Sequence, residues 1–172
     1  MTWTSPVPDP ADGPLTGDDR PMLEGYLDWQ RSTLLNICAG LDAEQLARQP
    51  IPSTNLTLLG LVRHMAKVER TWFRERAIGE DFGGPMYDAA LGKDTDFEDI
   101  RADQAVDAVA RLAEEVRLAR EAVADLSWDS LVPSRDGDLS LRFVHIHMIG
   151  EYARHNGHAD LLRQAIDGVA GR

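Results

Sequence analysis

Four stretches of this chain, each roughly 20–27 residues long, set apolar side chains at helical spacing, and none sustains the alternation of a strand. Chain patterned in this way can bury its apolar stripes only against one another. The sequence therefore predicts an all-α fold, an antiparallel four-helix bundle with long connecting loops. At 172 residues it is long enough to bury one core without disulfide staples. The lone cysteine, Cys38, among Leu34, Leu35 and Leu41, reads as a buried thiol.

The first stretch opens at Asp18 or Asp19, where an acidic residue precedes Pro21, and closes near Gly40; Met22, Tyr26, Trp29, Leu34, Ile37 and Leu41 trace its stripe. The second starts at Thr57, a hydroxyl N-cap, and ends at Gly79, with Leu58, Leu61, Val62, Met65, Val68, Trp72 and Phe73 on its apolar face. The third spans Arg101 to Leu126 with Val106, Val109, Leu112, Val116 and Val123 inward. The fourth runs from Leu141 to Ile166, after a turn in which Asp136 and Gly137 close a small hairpin or a tight bend. Before the first stretch, Pro6, Pro8, Pro10 and Pro14 deny residues 1–17 both helix and ladder, so they read as a flexible N-terminal arm on a domain of residues 18–172.

Composition excludes several functions. A net charge of −11, with the few basic residues scattered among acids, argues against nucleic acid. No apolar run approaches the ~18 residues of a membrane span, and the N-terminus lacks a basic region followed by an apolar one, so the expected location is the cytoplasm. An acidic surface is also compatible with a soluble homodimer. Glu80 to Asp99 is a long Gly- and Asp-rich connection that reads either as a surface excursion or as a lid walling a pocket, with Met86, Tyr87 and Phe97 as anchors and Gly83, Gly84 and Gly92 as joints.

The fourth stretch carries the chemistry. At about 100° per residue, His147, Glu151, His155 and His158 fall within an arc of ~80°, flanked by Val144, Met148, Leu162 and Ile166. A polar stripe bordered by apolar residues points inward, where a carboxylate among imidazoles needs a partner such as a divalent cation. His64, in the second stretch among Leu61, Met65 and Val68, is the candidate third ligand; with Glu151 and His155 it makes the two-nitrogen, one-carboxylate set of many zinc sites and of non-haem iron. His145, offset by ~160° from His147, belongs to another face. The plain alternative is a helical protein with hydrogen-bonded core histidines and no metal.

In "LTLLGLVRHMAKVERTWF" and "HMIGEYARHNGHADLLRQAIDG", and in the order of elements between them, the chain resembles the DinB-like superfamily of four-helix metal proteins, in the branch of the mycothiol-dependent maleylpyruvate isomerases. The resemblance implies a divalent metal held by His64, Glu151 and His155, zinc first, with nickel or iron as alternatives. Glu151 stands where many relatives have histidine, and those isomerases resemble this chain in having glutamate. His158 stands where many relatives have glutamine, which implies a group beside the ligands or a fourth ligand; His147 lies at the margin. The function implied is a transferase or isomerase that uses mycothiol or another small thiol on a small-molecule electrophile. Arg63, Arg74 and Arg154 are candidates for an acidic cosubstrate, although solvated helix charges is the plainer reading of each. A non-enzymatic metal or small-ligand binder, its site closed by His158, is the alternative of a different class.

Overall fold

A computed structural model describes residues 2–87 and 95–169. It is mostly helical: α1 (Asp19–Cys38), a short α2 (Ala43–Ala47), α3 (Leu58–Glu69), α4 (Ala105–Val123) and α5 (Leu141–Asp167). Two 2-residue strands, β1 (Leu131–Val132) and β2 (Leu139–Ser140), pair antiparallel before α5, with Leu131 opposite Ser140, so the hairpin reading of Asp136 and Gly137 holds. α3 starts where Thr57 accepts the Gly60 amide at 2.9 Å, and beyond Glu69 it continues in π form through Arg70–Arg76. Among the described residues no helix is long and apolar enough to cross a membrane.

The helix directions differ from a simple up-and-down order. α1 packs along α5, and Asp19–Arg142, Gln30–Asn156 and Ile37–Arg163 contacts in succession show that the two run parallel. α3 and α4 are likewise parallel, through Arg63–Gln104 and then Arg70–Glu115. Helices of one direction that follow each other in sequence need a connection that returns the length of a helix. That requirement accounts for the long Gly- and Asp-rich stretch after α3, which has to carry the chain back before α4 can begin.

Arginines fasten the helix ends. Arg20 donates to the carbonyls of Val123 and Leu126 at the end of α4, and Arg163 donates to Ile37 and Ala39 at the end of α1, so C-terminal carbonyls that lack intrahelical partners are satisfied across the fold. At the centre, Glu69 of α3 is fully buried, takes two 2.7 Å bonds from Arg31 of α1, and accepts the Tyr152 hydroxyl of α5 at 2.8 Å.

Two parts of the expected core lie elsewhere. Tyr26 and Trp29 stack on each other at the surface, while Gln30 and Arg31 take the inward positions of α1; Val106 of α4 is half exposed. The aromatic stripe of α1 instead flanks the N-terminal residues. There a Cβ on Gly25 would lie 2.6 Å from the Gly13 Cα, a distance that only two glycines permit. Nearer the start, Thr4 bridges Asp42 and the Ser5 amide donates to Leu41. Cys38 is buried as expected, and burial pushes its thiol up to about 12.

Candidate metal centre

α3 and α5 bring His64, Glu151 and His155 together, one donor atom of each lying within 4.8 Å of the others. Glu151 and His155 are one helical turn apart, the spacing at which two side chains share a face, and His155 Nε2 is 3.5 Å from Glu151 Oε2. The His64 and His155 rings meet edge to face at 4.7 Å. Side-chain exposures of 20% for His64, 16% for Glu151 and 11% for His155 leave the group shielded but reachable.

His64 is oriented from outside α3. Its Nδ1 lies 2.7 Å from Asp96 Oδ2, so Nδ1–H donates to the carboxylate, and in the neutral ring Nε2 is then the nitrogen with a lone pair for a metal. Asp96 is buried in the short 3-10 turn Thr95–Phe97, with Lys67 Nζ 2.5 Å from its other oxygen. Burial alone would raise this carboxyl, but hydrogen bonds from His64 and Lys67 outweigh it and hold it below the ordinary range. The turn seats on Gly60, in the first turn of α3, where a Cβ would come within 2.9 Å of Phe97 Cδ1, so the missing side chain lets the ring approach. Sequence reading missed Asp96, because one aspartate among several in a loop carries no mark. Gly60, one turn before His64, was the available signal that backbone or ring passes close by.

His155 is neutral. Burial first, then the neighbouring His64 imidazole, push its pKa down to about 4 against the pull of Glu151. Between the ordinary 6.5 and about 4, the unfolded chain binds a proton at this residue that the folded chain refuses, so stability should fall as pH drops through that window. Thermal midpoints of chelator-treated protein from pH 7 to 4 test this: His155→Gln should show the shallower decline, and parallel curves would remove His155 as the cause.

Two imidazoles and a carboxylate are a donor set for a divalent first-row cation. Metal–donor bonds of ~2.0–2.2 Å put tetrahedral donors ~3.4 Å apart, the separation the His155–Glu151 pair already has. His158 stays outside the three: its ring lies 5.5 Å from that of His155, and its Nδ1 is buried without a hydrogen-bond partner among the described residues, as is the His155 Nδ1. His147 lies at the margin, with Nε2 3.6 Å from Glu151 Oε1 and its ring against Trp72. His145 is apart, packed between Phe73 and Trp128 with Nδ1 3.0 Å from the Leu141 carbonyl. Arg154 is solvated beside Glu151, but Arg63 and Arg74 are not free helix charges: Arg74 pairs with Glu80 and Glu115, and Arg63 is buried against loop carbonyls.

The connection after α3 does two things. Residues 82–87 wall a cavity that none of the three clustered residues lines, whereas Asp96 and Phe97 touch His64 directly. A deletion that reaches Thr95 would therefore remove contacts made to His64; residues 88–94, Gly92 included, lie outside the described residues. Asp96→Asn keeps the shape of the side chain but loses its charge. Metal retention should weaken by ~10–100-fold in chelator competition with little change in thermal midpoint, and unaltered retention would make the Asp96–His64 bond incidental.

The family model described as mycothiol-S-transferase matches residues 22–168, which includes all three clustered residues. Searches of the curated proteins and of the solved structures find no match. The match spans the chain from α1 to the end of α5, and the protein belongs to the mycothiol-S-transferase family, within the DinB-like superfamily.

Proposed function

We propose that the protein is a cytoplasmic, metal-dependent transferase that moves a small thiol, mycothiol by family, onto a small-molecule electrophile, in a four-helix bundle made by α1, α3, α4 and α5. His64, Glu151 and His155 would hold the divalent cation, zinc first with nickel or iron as alternatives. The observation that carries this reading is the convergence of those three donors from two helices in a chain of this family. A divalent cation there supplies Lewis acidity that lowers the pKa of a thiol in contact with it. Asp96 accepts from His64 Nδ1, which in the neutral ring turns Nε2 into the free nitrogen, and the depressed pKa of His155 keeps that ring unprotonated at neutral pH. Two neutral imidazoles and one carboxylate leave part of a dication's charge uncompensated, which favours an anionic sulfur. His147, partly exposed beside Glu151, is a base that can pass the thiol proton to water.

A second reading, a closed metal-binding protein without turnover, draws on the unpartnered His158 Nδ1 beside His155. The two separate in one assay. Zinc-loaded and metal-free protein are offered mycothiol and simpler thiols with a panel of electrophiles, and thiol loss is followed together with metal content. Consumption only in the loaded protein supports the transferase; full metal occupancy with no turnover for any pair supports the closed site.

A further inference from the structure

We propose that the cavity of about 680 Å3 between α3, α4 and residues 82–87 is a second small-molecule site, built for a small dicarboxylic acid. Its volume falls in the ~300–1,000 Å3 range of ligand pockets. Arg63, Arg70, Arg101 and Arg111 line it, a concentration of positive charge in a chain of net charge −11. Two of the four are already neutralised: Arg70 lies 2.6 Å from Glu115, and Arg101 pairs with Asp99 and Asp103. Among the described residues, Arg63 and Arg111 have no carboxylate within ion-pair distance.

Arg63 is the stronger of these observations, because it is only 8% exposed and a buried cation without a counter-ion is costly. Among the described residues it donates to neutral acceptors alone, from Nη1 to the Glu98 carbonyl at 3.1 Å and the Gln104 amide oxygen at 3.3 Å, and from Nη2 to the Thr95 carbonyl at 3.1 Å. Among the described residues these bonds leave the Nε–H without an acceptor and one of the two Nη2 hydrogens spare, on the edge of the guanidinium that can face a carboxylate. The guanidinium lies over the Tyr87 ring at 4.6 Å, and the Tyr87 hydroxyl donates to the Arg63 carbonyl, so that edge is held flat and in place. Phe82, under Arg70 at 4.3 Å, adds apolar wall for a carbon body.

Arg111 supplies the second cation from the facing helix α4. Two cations on separate walls match two acid groups joined by carbon, rather than one polyanionic centre. Asp103 and Asp107 on the α4 side oppose a compact dianion further. The inference is independent of the metal reading, since the three clustered residues do not line this cavity.

Calorimetric titration of the full-length, metal-stripped protein with succinate, propionate and inorganic phosphate at one ionic strength is the test. Succinate should bind saturably, and at least tenfold more tightly than the other two. Arg111→Gln, at an exposed position, should weaken succinate by about tenfold or more, the size expected for a charged hydrogen-bonded contact, with an unchanged thermal midpoint. His64→Ala should bind succinate as the wild type does. Absence of succinate binding, phosphate equal to succinate, an unchanged Arg111→Gln affinity, or loss of binding in His64→Ala would each overturn the proposal.

Discussion

Zinc-loaded His64→Ala protein, dialysed against a chelator beside the wild type at neutral pH, is expected to lose nearly all its metal, and Glu151→Ala and His155→Ala should do the same. The three donors come from two helices and lie within 4.8 Å of one another, so removing any one leaves two, too few to compete with the chelator. The loss should exceed the ~10–100-fold that removing a neighbouring non-ligand costs, which is the effect expected of His158→Ala. Thiol-dependent turnover should vanish in the same three variants. Metal content in His64→Ala equal to that of the wild type would take α3 out of the site, and a collapse of the His158→Ala protein to the level of the other three would make His158 a ligand.

The largest effect on stability is expected at Glu69, which lies in none of the proposed sites. Its carboxylate is fully buried and joins three helices, through Arg31 of α1 and Tyr152 of α5. Glu69→Ala leaves the Arg31 guanidinium, itself only 7% exposed, with Asp28 as its remaining carboxylate and strands the Tyr152 hydroxyl. Breaking a buried pair from one side costs about 3–5 kcal/mol, a large part of the ~5–15 kcal/mol that holds a domain together. Urea unfolding should show the midpoint falling with the slope unchanged. Replacing both partners, as in Glu69→Leu with Arg31→Met, should recover much of the loss, because no charge is then left buried. A single-variant loss below about 1 kcal/mol would mean that water reaches the network.

Much of the candidate site was legible because helical geometry is local. Glu151 and His155 share a face by their spacing alone, and the apolar residues around them told that the face points inward. The same wheel set His145 aside, and it is found packed against Phe73 and Trp128. Where the stripe was ambiguous the reading failed. Tyr26 and Trp29 looked like core and lie outside, because hydrophobicity says that a ring prefers cover without saying which element supplies it. Arg31 and Glu69 carry no mark in the sequence, and nothing at either position shows that a partner waits 38 residues away.

What the sequence determined by itself was the helical class, the N-cap at Thr57, a turn at Asp136 and Gly137 and the shared face of Glu151 and His155. Each rests on interactions within a few residues, which the order of side chains specifies directly, whereas His64 joined them through the expected bundle and the family resemblance. Only the tertiary structure decided that α1 runs parallel to α5 and α3 to α4, and that Asp96 reaches back to orient His64. Only it could place Arg63 and Arg111 on facing walls of one cavity. Those relations depend on how the long connection returns after α3, and the packing of distant apolar faces selects that path, which no local spacing encodes.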